Sequence, residues 1–161
     1  MNQSTAPADT GSPAGTGSPA GTASPGLALA VSRTSWQCVQ GHDRDGWLAL
    51  MADDVLIEDP IGPGVTNPDG AGARGKAAVG AFYDANIGPN QLTVTCHESF
   101  PSCSPREIAH LLTLRTQFPN GAVAAVRGVF TYQVDETGLL TGLRGYWTLD
   151  SLTFTDAPET R

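Results

Sequence analysis

The sequence predicts an α+β domain, on three observations. Apolar residues first recur at helical spacing, then change to the alternation of strands after Gly88-Pro89. Two turn signals, Pro119-Asn120-Gly121 and Asp135-Glu136-Thr137-Gly138, divide the second half into an antiparallel meander. Helices and strands in separate blocks specify helices packed on one face of a sheet. A mostly antiparallel sheet that curves around three helices encloses a cone with an apolar interior, and such a mouth suits a small molecule.

The elements follow in order. Leu29, Ser32, Trp36 and Val39 share a helical face, and Gly41 closes that helix. Asp43 or Asp45 caps a short second helix carrying Trp47, Leu48, Leu50 and Met51. A strand follows through Val55, Leu56, Ile57, Glu58 and Asp59. The stretch from Pro60 to Gly75 is a loop dense in Gly, Pro, Asn and Asp. The third helix holds Ala77, Val79, Phe82 and Tyr83. Leu92, Val94, Cys96 and Phe100 alternate along the next strand, and Ile108, Leu112, Leu114 and Phe118 along its neighbour. Val126, Phe130, Tyr132 and Val134 share a face of a third strand. Leu139, Leu143, Trp147 and Leu149 share a face of the last one.

Composition bounds the function. The chain has 161 residues, within the range of one domain. Its 9 Lys and Arg stand against 16 Asp and Glu, a net charge of −7 that disfavours nucleic acid. No apolar run is long enough to span a membrane. The first residues lack the basic start and apolar stretch of a secretory signal. The three cysteines (Cys38, Cys96, Cys103) are an odd count without metal-type spacing. They read as reduced thiols of a cytoplasmic protein, with Cys38 and Cys96 in the core and no metal site. Residues 1–26 are almost wholly small and polar, and GSPAGT at 11–16 recurs at 17–22. A disordered tail is expected there, because little can be buried to offset ordering. The folded domain is expected over residues 27–155, with a flexible end at 156–161. No cofactor is expected, since Gly70-Ala-Gly-Ala-Arg-Gly75 does not open from a strand as a phosphate loop does.

Asp59 is the candidate for chemistry. Period-2 alternation puts it on the face of Val55 and Ile57, and Pro60 ends the strand directly after it. A carboxylate at the lip of an apolar interior is desolvated, so its pKa rises and it becomes a proton acceptor. The other reading is a turn aspartate before a proline. His42 and His97 are expected on the surface, His110 as a satisfied core or pocket-edge histidine, and Arg127 and Arg144 on outward faces.

The run Ala52–Gly62 (ADDVLIEDPIG) resembles the steroid Δ5-isomerase (ketosteroid isomerase) family of the nuclear-transport-factor-2-like fold. Gly75–Tyr83 (GKAAVGAFY) and Gly145-Tyr146-Trp147 carry the same resemblance, which extends over about residues 29–153. Ser35-Trp36-x-Cys38-Val39-Gln40 and Asn67-Pro68-Asp69-Gly70 resemble the ketosteroid-isomerase-like proteins of actinobacteria. The resemblance implies a homodimer formed through the sheet and a steroid-like apolar ligand. It makes Asp59 the base that moves a proton next to a ketone. That family is known for pairing the base with an oxyanion hole of a tyrosine and a protonated aspartic acid. In this chain Ser35 and Phe130 stand at those two positions, Tyr83 at a tyrosine that supports the network, and Trp147 at the cavity wall beside Asp59.

Two residues offer replacement donors. Tyr132 lies two along from Phe130 on the same face, and reads either as a core tyrosine or as a ligand donor. Trp36 lies beside Ser35, and reads either as core packing or as an inward N–H. Three functions therefore stay open: a ketosteroid-isomerase-like enzyme, a non-catalytic binder of steroid-like molecules, and a polyketide cyclase or dehydratase on the same fold.

Overall fold

The computed structural model describes residues 26–157. The tail expected over residues 1–26 falls, apart from Gly26, outside the described residues, as does the chain end from residue 158. Helix α1 spans Leu27–Gln40 and helix α2 Arg44–Ala49. Asp43 caps α2, its carboxylate accepting from the Gly46 N–H at 2.9 Å. Strand β1 (Met51–Glu58), the two-residue strand β2 (Ala73–Arg74) and helix α3 (Gly75–Asn86) follow. Strands β3 (Gln91–Pro101), β4 (Glu107–Gln117), β5 (Val123–Val134) and β6 (Leu140–Tyr146) form the meander, and β7 (Leu152–Thr155) ends it.

The seven strands make one sheet in the order β2-β1-β6-β5-β4-β3, with β7 paired to β5. Strand β1 runs parallel to β6 and the other pairs are antiparallel. The β4–β5 ladder runs without a break from Glu107↔Gln133 to Gln117↔Val123, and Gly121 at φ 89° makes the turn between them. Register shifts interrupt the ladders β1–β6, β3–β4 and β5–β6. Each inserts extra residues on one strand, bending it and increasing its twist. Met51, Val55, Val79, Leu112, Phe130 and Leu140 form the centre of the core between helices and sheet.

The fold is that predicted, with local corrections. Strands β2 and β7 escape the sequence reading because two and four residues are too few to show a period. Leu140, at 0% exposure, takes the inward place expected for Leu139. The cause is a bulge: Val134 pairs with Leu140 but Gln133 with Gly142, so Thr141 is an extra residue. Leu149, expected inside, lies in a 3₁₀ turn and is 59% exposed. Cys38 is buried, but Cys96 is exposed. It precedes the β3 register shift, on the edge strand of the sheet.

The bulge can be checked by mutation. Leu140→Ala is expected to lower unfolding free energy by about 2–5 kcal/mol, and Leu139→Ala by less than about 1 kcal/mol. Urea denaturation measures both, and equal losses would contradict the register.

Candidate functional site

Strand β1 delivers Asp59 to the interior. Val55 and Ile57 are buried on its inner face, and Asp59 continues that face past the strand end. The chain turns at once, through a cis Asp59–Pro60 bond, and the Ile61 N–H donates to the Gly145 carbonyl at 3.0 Å. Buried Asn67 ties the following loop together. Its Nδ2 donates to the carbonyls of Pro60 (2.9 Å) and Gly62 (3.1 Å), and its Oδ1 accepts from the Gly72 N–H at 2.9 Å. Thr66 Oγ1 donates to the Asp59 carbonyl. The base candidate thus sits on backbone held from both sides.

Asp59 borders two spaces, whose linings also share Phe82, Ile87, Leu92 and Leu114. The outer chamber, of about 370 Å³, is walled by Phe82, Leu114, Val126, Trp147 and Phe154. The inner chamber, of about 60 Å³, is ringed by Ser35, Trp36, Trp47, Phe130 and Tyr132. The outer space lies within the range of small-molecule sites, and its lining is largely apolar.

Among the described residues one hydrogen bond anchors the Asp59 carboxyl. Trp147 Nε1 donates to its Oδ1 at 2.6 Å. Desolvation raises its pKa to about 6, outweighing that hydrogen bond, which alone would lower it. Gly145 makes room for the pair. A Cβ there would stand 2.8 Å from Asp59 Oδ1 and 3.0 Å from both Trp147 Nε1 and Phe130 Cε1. No larger residue fits without moving the carboxylate, the indole or the phenyl ring.

The second polar element is the Trp36–Tyr132 pair. Trp36 Nε1 donates to the Tyr132 hydroxyl oxygen at 2.8 Å, which commits the indole proton. Among the described residues the Tyr132 O–H donates to no protein group, and Tyr132 faces the inner chamber. Burial raises its pKa, so it stays a phenol. Ser35 also lines the inner chamber, its oxygen accepting from Trp47 Nε1 at 2.9 Å. Phe130 lies beside Asp59 and offers no donor.

Tyr83 is corrected. It belongs to neither chamber wall. Its ring packs on Trp47 at a centroid distance of 5.5 Å, and among the described residues its buried hydroxyl has no partner. The neighbouring Phe82 faces the cavity instead, because one step along a helix turns the side chain by about 100°. The sequence reading also misses Trp47 as the group that holds Ser35, and Phe154 as a wall residue. The helical face of Trp47 was visible, but its partner is 12 residues away. Arg144 faces outward and pairs with Glu58 at 2.6 Å. Among the described residues no cluster of His, Cys, Asp or Glu is placed to hold a metal ion, and no helix is long and apolar enough to cross a membrane.

Comparison with known proteins gives the same architecture. Residues 33–143 match the model of the SnoaL-like domain. A Δ5-3-ketosteroid isomerase from Mycobacterium sp. is 66% identical, with a TM-score of 0.79 over 81% of this chain and 99% of that one. RV0760c from Mycobacterium tuberculosis, solved in complex with estradiol-17β-hemisuccinate, is 64% identical, with a TM-score of 0.78 over 80% of this chain and 99% of that one. The epoxide hydrolase/cyclase-like enzyme SalBIII is 17% identical at a TM-score of 0.66, over 76% of this chain and 92% of that one, and shares the fold alone. No curated protein matches the chain.

The half-buried acid and the buried histidine have opposite effects on stability. The folded pKa of Asp59 lies above its ordinary 3.8, so folding favours the neutral acid. Its stabilising contribution is full below about pH 3.8 and is lost as pH rises through about 6. Asp59→Asn keeps an acceptor for Trp147 and is expected to exceed wild type by on the order of 3 kcal/mol at high pH. That gain should vanish near pH 4. His110 is pushed down to about 4 by burial, so its contribution is present above its ordinary 6.5 and is lost as pH falls through about 4. Thermal melts of both proteins across this range check the signs, and a pH-independent difference would contradict the raised pKa of Asp59.

Proposed function

The chain belongs to the SnoaL-like domain family, and we propose that it binds a steroid or similar apolar carbonyl compound and transfers a proton next to the carbonyl, with Asp59 as base. The observation that carries this reading is an anchored carboxyl group, of pKa about 6, at the edge of an apolar chamber of about 370 Å³. Trp147 occupies Oδ1, which leaves Oδ2 as the basic oxygen. The relatives support the ligand class, one being a Δ5-3-ketosteroid isomerase and another a protein solved with a steroid ester.

The steps balance without a cofactor. Asp59 takes a proton from the carbon beside the ketone, and the C–H electrons move into a dienolate whose oxygen gains charge. Tyr132 donates its O–H to that oxygen, and Trp36 sharpens the donor by hydrogen bonding to the phenol oxygen. Ser35 adds a second, weaker hydroxyl at the chamber floor. The Asp59 acid then returns the proton two carbons along, which moves the double bond into conjugation.

A second reading, a binder without turnover, is favoured by Phe130, which puts a phenyl ring where the isomerase family has an acid donor. The two readings separate in one assay. With a Δ5-3-ketosteroid, Asp59→Asn is expected to lower kcat by about 10²–10⁴ and Tyr132→Phe by about 10²–10³. In wild type, kcat/KM should rise through about pH 6 and then level off, following ionisation of Asp59. Wild-type turnover no faster than Asp59→Asn leaves the binder.

We also propose a cytoplasmic homodimer joined through the outer face of the sheet. Phe100, Val129 and Tyr146 leave apolar side chains exposed there, and Val129 pairs directly with Tyr146. Sedimentation equilibrium is expected to give a dimer, and Val129→Asp a monomer. A wild-type monomer at micromolar concentration would refute this.

A further inference from the structure

His110 takes no part in these steps, yet it is fully buried beneath the residues that do. It lies on β4, where α1, β3 and β5 meet. Its ring makes edge contacts with Trp36 (centroids 4.9 Å, planes at 78°) and with Tyr132 (5.6 Å, 76°). Those two rings are themselves edge to face at 6.3 Å. All three separations lie in the favourable range for aromatic pairs. Two serines hold the imidazole: Ser32 Oγ lies 3.0 Å from Nε2, and Ser99 Oγ lies 2.9 Å from Nδ1.

The direction of each bond follows from proton counting. A serine hydroxyl has one proton, and Ser32 gives its own to the Leu29 carbonyl at 3.0 Å. With that proton so placed, its oxygen accepts from His110, and the imidazole hydrogen is assigned to Nε2. In a neutral ring Nδ1 is then the acceptor and takes the Ser99 proton. Burial keeps the ring neutral, with a pKa pressed down to about 4. Ser32 and Trp36 are four residues apart on α1, hence neighbours on one helical face. The His110–Ser32 bond thus fixes the face of α1 that presents Trp36.

We propose that His110 is a positioning residue for the Trp36–Tyr132 pair. Its Nε2–H bond to Ser32 and its edge contacts with both rings set the Tyr132 hydroxyl toward the inner chamber. This inference rests on the reading of Tyr132 as the donor to the ligand oxygen. A histidine that only filled space would affect stability, but not how strongly the site prefers a ligand that carries an oxygen at that point.

The test is the ratio of two dissociation constants, read by tryptophan fluorescence. One probe is an equilenin-type steroid phenol and the other is its deoxy analogue with the same rings. Wild type is expected to prefer the phenol by about tenfold, the worth of one good hydrogen bond. His110→Asn, whose amide is too short to reach Ser32, should bring the ratio close to one while both probes still bind. His110→Gln, which can place an N–H near Ser32, should restore most of the preference. Should the asparagine variant fail to melt cooperatively, Ser32→Ala decides, because it removes the same acceptor with a one-atom deletion. A wild-type ratio in the folded His110→Asn variant, or in Ser32→Ala when that variant decides, overturns the proposal. A ratio unchanged by Tyr132→Phe instead refutes Tyr132 as donor, which is a separate failure.

Discussion

The site depends on a carboxyl group kept in a wall that disfavours its charge. Every element around Asp59 serves that constraint. Strand β1 brings it in on an apolar face, buried Asn67 secures the loop that follows, and Gly145 leaves the space in which Trp147 reaches its Oδ1. Desolvation raises the pKa, and the single indole bond limits the rise to about 6. A drier wall would leave the group protonated near neutrality, whereas a wetter one would leave a weaker base. The working range is set by how few donors the carboxylate receives.

How this site was legible follows from which signals are local. Alternation along a strand is local, so the inward faces of Asp59, Phe130 and Tyr132 can be read directly from spacing. The cap at Asp43 and the turn at Gly121 are local as well. Bulges are not: the Leu139-Leu140 doublet looks the same with or without an extra residue at Thr141, and parity counted back from Leu143 fails across it. Long-range partners leave no trace in spacing either. Trp36 and Tyr132 are 96 residues apart, and only the folded sheet shows that one indole proton is already committed to that phenol.

The polar groups at the bottom of the cone form two couples rather than one network. Trp47 donates to Ser35, and Trp36 donates to Tyr132, each over less than 3 Å. In both couples an indole, which can only donate, meets a hydroxyl, which can do both. Each hydroxyl oxygen is therefore occupied from the protein side while its proton stays available. The orphaned Tyr83 hydroxyl belongs to neither couple. The Tyr83 ring packs on Trp47, whose proton goes to Ser35.

Strand β7 has a bearing on how such a protein could diversify. Its four residues pair with β5 near the outer chamber and contribute Phe154 to the wall, whereas Asp59, Trp36 and Tyr132 come from earlier elements. One part of the ligand-shaping wall is thereby written apart from the reacting groups, although Trp147 serves both. Variation in β7 can reshape that part of the wall while the reacting groups stay as they are. An engineer seeking a new guest molecule could randomise Leu152–Thr155 as an exchangeable cassette, with the proton-transfer apparatus left as inherited.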